Sequence, residues 1–321
     1  MKKRLLACVL TLVMLLALLP TAALAAGGPV DLTGTATISS TQQAGTYYRV
    51  TGDTALTLNS AVIEPGDDAN APAIEVLSGK LTLTLVGEST VRGGRGYAGI
   101  YVAPGAELVI TGSGKLNAFG GRGSIDSRGW SGVIDMVVNG ENIRAYYGGG
   151  AGIGGNGTFM TGSDALLNVN ASNFGKITIE SGEVSAVGGT SSESNAGAGA
   201  GIGSGGASTK GSSIVKPADG VIDIRGGVVT AQGGDGQTNS LTGGGAGIGS
   251  GGSVGGFYTQ ESFTVVVYIS AGEVTATGMA DGAGIGGGAN VDGGVIEISG
   301  GVVHAYGGYE IEDGKQDGGY G

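Results

Sequence analysis

A five-residue phrase, Gly-Ala-Gly-Ile-Gly, begins at Gly150, Gly199, Gly245 and Gly282. After a connection of varying length a second constant phrase follows each one. It reads ITIESGEVSA from Ile177, IDIRGGVVTA from Ile222, VYISAGEVTA from Val267 and IEISGGVVHA from Ile296. A unit that recurs every few tens of residues points to a solenoid, in which each copy contacts only its neighbours. That constraint outranks every other feature of the chain.

The second phrase alternates with a period of two, which selects strands. Ile177 and Ile179 share one face, and Val184 and Ala186 share a face after a Ser-Gly turn. The equivalent sets are Ile222, Ile224, Val229 and Ala231; Val267, Ile269, Val274 and Ala276; Ile296, Ile298, Val303 and Ala305. One coil cannot bury such a face alone, whereas stacked coils form interior ladders of Ile, Val and Ala. The Gly-Ala-Gly-Ile-Gly run reads as the third side, with Ala151 and Ile153 inward and Gly150, Gly152 and Gly154 outward. Glycine in a strand costs roughly 0.5–1 kcal/mol against alanine. Either a corner with positive φ or the close approach of a flat partner accounts for it.

Residues 1–25 have the form of a signal peptide: Lys2, Lys3 and Arg4, an apolar stretch too short to span a bilayer, and Ala23-Leu24-Ala25 as a cleavage site. Its loss leaves a secreted or surface chain with no membrane insertion. The only cysteine, Cys8, goes with the leader, so no disulfide is available. Three of the 16 Lys and Arg also go, leaving 13 against 27 acids, a net charge of −14. Such a surface argues against nucleic acid as partner. The 72 glycines would suit disorder, but low charge and β-branched alternation favour packing.

Residues 26–48 read as a lead-in or cap, 49–308 as one elongated parallel β-helix, and 309–321 as a polar acidic tail. Within the helix, Tyr97-Ala98-Gly99-Ile100 is a degenerate form of the first phrase. Residues 138–145, ending Ile143-Arg144-Ala145, resemble the second. No segment outside the leader has helical periodicity. The expected fold class is therefore all-β, a right-handed parallel β-helix, the hand following the preference of parallel crossovers.

With Asn70-Ala71-Pro72-Ala73-Ile74, Ala98-Gly99-Ile100 and the four repeats in view, the chain resembles glycine-rich secreted bacterial β-helix proteins of the carbohydrate-binding-domain type. These are similar to pectate lyases in shape. The resemblance implies a β-helix and, for some members, binding of acidic plant polysaccharide with calcium sites. Fold likeness alone carries no activity.

The residues themselves offer little catalysis. With one histidine, His304, and no cysteine after the leader, a zinc site or Cys–His pair is excluded. His304 falls in an outward column with Ser185, Thr230 and Thr275 and reads as a surface residue. Glu64, Asp67 and Asp68 in a Pro-Gly turn present hard oxygens suited to calcium, or form an ordinary solvated turn. Arg92 and Arg95 sit in the corner Val91-Arg92-Gly93-Gly94-Arg95, and Arg122 and Arg128 in the loop after Phe119-Gly120-Gly121, with Tyr97 and Trp130 beside them. Arginines bind carboxylates in a fork, and aromatic faces stack on sugar rings. Tyr146 and Tyr147 are a second aromatic pair. The reading is a non-catalytic glycan-binding or adhesive module for polysaccharide, acidic if the arginines bind it, needing no cofactor and open to calcium. A calcium-assisted polysaccharide lyase and a structural stalk are the competitors. The residues specify no oligomeric state.

Overall fold

The computed structural model describes residues 27–123, 134–138, 141–161, 172–191, 196–207, 209–210, 213–214, 219–236, 243–253, 265–312 and 315–318. Residues 1–25, read from the sequence as a signal peptide, lie outside them. Twenty strands join in one sheet, and every pairing within it is parallel, with consecutive coils stacked in three ladders. The chain is all-β, wound as a parallel β-helix. Among the described residues the one helical element is a single 3₁₀ turn, Asp67–Ala69.

The first ladder runs from residues 48–50 through Ile74–Val76, Ile100–Val102, Ile153–Gly154, Ile202–Gly203 and Ile248–Gly249 to Ile285–Gly286. The second runs from 34–39 through 54–59, Lys80–Val86, Glu107–Gly112, Lys176–Ile179, Gly220–Ile224 and Val265–Ile269 to Val295–Ile298. The third runs from 62–63 through Glu88–Arg92, Lys115–Phe119, Glu183–Val187, Val228–Gln232 and Glu273–Thr277 to Val302–Tyr306. Pro29–Thr41, inside the stretch read as lead-in, is thus already a ladder strand.

The inward alternation is as the repeat requires. Leu56, Leu83, Ile110, Ile179, Ile224 and Ile269 stand in one column, each at most 1% exposed. The third ladder narrows from Ile63 and Val91 to Ala118, Ala186, Ala231 and Ala276. A small column on one side leaves room for large ones on the other two. Between the second and third ladders the chain turns through glycine: Gly182, Gly227, Gly272 and Gly301 have φ of 95°, 82°, 98° and 87°. That conformation excludes most other residues.

Two expectations are corrected. Gly150, Gly152 and Gly154 do not form an exposed strip; all three are buried. Glycine-rich backbone forms a second packed layer at the corner between the third and first ladders. Its row of hydrogen bonds runs from Gly150 N–H to the Gly121 carbonyl (3.0 Å), Gly189 to Gly150 (2.7 Å), Gly199 to Gly189 (2.9 Å), Gly234 to Gly199 (2.8 Å) and Gly245 to Gly234 (3.0 Å). A Cβ on Gly150, Gly199, Gly234 or Gly245 would fall inside 3.0 Å of neighbouring backbone. The flat partner is the chain itself. The closing glycines, Gly154, Gly203, Gly249 and Gly286, also have φ of 134–139°, so the corner explanation holds at that one position of the phrase.

Residues 138–145 do not add a coil either. Ile134–Val138, Glu141–Tyr147 and Phe159–Thr161 pair antiparallel in a separate three-stranded sheet. Val138 pairs with Glu141, and the Asn-Gly written between them in the sequence is a two-residue turn signal that outweighs the likeness to the repeat.

Candidate functional site

The outward side of the first ladder carries chemistry only in its early coils. The register sets Arg49 beside Glu75 and Glu75 beside Tyr101; the next position is Gly154. From there on, glycine occupies that position, at Gly154, Gly203, Gly249 and Gly286, and all four are buried. The chemical face is therefore confined to the coils before residue 120.

On that face the Arg49 guanidinium lies 3.4 Å from the Glu75 carboxylate and 3.7 Å from Asp31. It also donates to the Tyr47 hydroxyl at 3.4 Å, its Cζ 6.0 Å from the centre of the Tyr47 ring. The Glu75 side chain is 20% exposed. Burial pushes its pKa above the usual carboxylate range, against the opposing pull of Arg49. Tyr97 and Tyr101 are half-buried, and burial followed by the Glu75 charge raises both phenols. Tyr147 is 3% exposed and packs on Gly96, where a Cβ would meet its ring at 2.8 Å. Burial and the Tyr97 phenol push its pKa up to about 12, while Arg95 pulls the other way. The result is a ledge of tyrosines around one carboxylate and one guanidinium.

Replacing Arg49 by alanine removes the attraction that opposes burial at Glu75, so the Glu75 pKa is expected to rise further. A ¹³C-carboxyl NMR titration of the two proteins reads the shift. The sign for stability follows from linkage. A carboxylate whose folded pKa is raised stabilises fully below its unfolded pKa and loses that stability as pH climbs through the folded value. Melting of Arg49→Ala is therefore expected to fall more steeply than that of the parent as pH rises through that range.

The arginine loops do stack on successive coils. Gly93 N–H donates to the Phe119 carbonyl at 3.0 Å, Gly121 to Tyr97 at 2.7 Å, and Gly96 to Arg122 at 2.8 Å. Their side chains do not form one cluster. Arg92 is held by Glu64 at 3.2 Å and lies over the Phe119 ring at 4.3 Å. Arg122 is exposed and Arg95 half-buried beside Tyr147. Arg128, Trp130 and the Tyr146 side chain fall outside the described residues.

The Glu64, Asp67 and Asp68 turn places Glu64 on Arg92, with Asp67 and Asp68 exposed on the 3₁₀ turn. The Asp67 carbonyl accepts from Arg95 N–H at 3.2 Å. No group of three or more His, Cys, Asp or Glu is arranged to hold a metal among the described residues. His304 is exposed and in register with Ser185, Thr230 and Thr275, as read from the sequence; in the parallel column of Thr178, Asp223, Tyr268 and Glu297, Thr178 is buried and not solvent-facing.

Sequence reasoning reached Tyr97, Arg95 and Tyr147 but passed over Tyr47, Arg49, Glu75 and Tyr101. A signal existed. Arg49 to Glu75 and Glu75 to Tyr101 are both steps of 26 residues (75 − 49 and 101 − 75), the length of an early coil. That period differs from the spacing of the glycine phrases and is masked by it. Comparison with protein-family models, curated proteins and solved structures gives no match to this chain.

Proposed function

We propose that the protein is a secreted or surface-associated, non-catalytic, right-handed β-helix that binds polysaccharide on its early coils. The observation that carries the reading is the pair of half-buried tyrosines Tyr97 and Tyr101 beside Glu75 and Arg49, with the buried Tyr147 supporting Tyr97. Half-buried phenol rings offer flat faces for sugar rings at little entropic cost, because their packing already fixes them. Glu75 and Arg49 supply an acceptor and donors for sugar hydroxyls. Arg95 and Arg122 at the rim supply charge for uronate carboxylates. Arg92 contributes less, since Glu64 already holds it.

The test is a polysaccharide panel probed with residues 26–321, with calcium and with chelator, and uronate turnover read in the same wells. Tyr101→Ala is expected to weaken binding about tenfold, equivalent to about 1.4 kcal/mol. Arg92→Ala is expected to change it less than twofold. Unsaturated product in any well would replace this reading with a lyase. Silence across the panel would leave a stalk.

A further inference from the structure

The two ends of the solenoid are finished differently. At the first coil, Pro29–Thr41 covers the core: Leu32 and Ile38 are 8% and 6% exposed. Its outer edge is blunted in the ways that stop strand addition. Pro29 has no N–H, the register shifts between Leu32 and Gly34 and between Ser39 and Ser40, and Gly34 and Ser40 have φ of 67° and 64°. Its exposed residues include Thr33, Thr35, Thr37, Ser39 and Thr41.

The strands of the last coil have neither a proline nor a register shift. Val295–Ile298, Val302–Tyr306 and Ile285–Gly286 pair on one side only among the described residues. Ile296 and Ile298 are 42% and 50% exposed, whereas Val267 and Ile269 one coil earlier are fully buried. Ala305 is exposed and Val303 half-buried. The strands of this coil also contain no lysine.

The order of side chains around this end is self-complementary. Counted from the Gly300–Gly301 bond, Ile298 and Val303 are equidistant, as are Glu297 and His304, and Ile296 and Ala305. A two-fold axis through that corner, perpendicular to the solenoid, lays the second-ladder strand of one copy antiparallel on the third-ladder strand of another. Ile298 then faces Val303, Ile296 faces Ala305, and the Glu297 carboxylate accepts from the His304 imidazole, twice by symmetry. Inward residues meet inward residues and outward meet outward. The first ladder's Ile285–Gly286 lies across from its own copy.

We propose that the last coil is a docking surface for a second copy of this chain, giving a closed two-fold dimer joined end to end. Two features favour the same end of a second copy over head-to-tail stacking: the opposite end is blunted, and the Glu297–His304 pair matches only under the two-fold operation. The proposal does not depend on the glycan reading.

Sedimentation velocity on residues 26–321 at about 1 to 100 µM tests it, with far-UV circular dichroism as the check on folding. The expected result is a monomer–dimer equilibrium with no larger species. Ile296→Asp with Ile298→Asp is expected to raise the dissociation constant at least tenfold without changing the spectrum, since both side chains are already half exposed. Glu297→Lys alone is expected to weaken the dimer severalfold, and Glu297→Lys with His304→Glu to restore it. A monomer throughout the range would overturn the proposal. An open series of larger species would overturn the two-fold arrangement in favour of head-to-tail growth. Failure of the exchanged pair to recover would overturn the register.

Discussion

Gly199→Ala is expected to destabilise the protein by about 3 kcal/mol, a severe case of overpacking. For a domain of this size that lowers the melting temperature by about 6–12 °C. The new methyl would sit inside contact distance of the Gly150 carbonyl and Gly149. Neither can withdraw. Gly150 is tied to Gly121 at 3.0 Å and Gly149 to Gly197 at 3.0 Å, and each of those segments has its own neighbours behind it. A clash with the tip of a flexible side chain is relieved by a rotamer change, whereas one with a hydrogen-bonded backbone layer is not. Gly52→Ala is the control. Nothing lies within 4 Å of a Cβ there and the backbone is not left-handed, so the change is expected to be neutral or stabilising by about 0.5 kcal/mol. Thermal melts of the two variants separate the packing explanation from any general intolerance of methyl groups in a glycine-rich chain.

This difference marks how far the sequence could be read. The interior was legible because a two-residue period states which side chains point inward. Ile177, Ile179, Val184 and Ala186 could be assigned without coordinates, and they are all buried. The second glycine layer was not legible, because glycine carries no side chain whose pattern would declare a face. Both an outward strip and a buried sandwich are written Gly-Ala-Gly-Ile-Gly. The difference lies in which distant segment lies against it, for example Gly189 and Gly199 on Gly150. The site divided similarly. Tyr97 and Tyr147 stood out as aromatic residues in glycine-rich surroundings. Glu75 and Arg49 sit inside strands and become a pair only through register across 26 residues.

The column containing Ile179 yields the other large effect. Ile179→Ala is expected to cost about 3 kcal/mol, and Ile298→Ala in the same column about 1 kcal/mol or less. Ile179 is fully buried, stacked between Ile110 and Ile224, with a coil on either side. Truncating it leaves a cavity, since the ladder bonds that hold both neighbouring coils at their spacing keep them from closing over it. Ile298 has only Ile269 beneath it and is 50% exposed, so its truncation removes less buried area and encloses no void. The contrast tests the solenoid as an energetic unit. If stability is a sum of coil and interface terms, the cost of the same change depends on how many stacked neighbours the residue has. The comparison is made by denaturant titration at low protein concentration, where end-to-end association does not contribute. Equal losses at the two positions would mean that the side chain's own coil, and not the stack above and below it, supplies the stability.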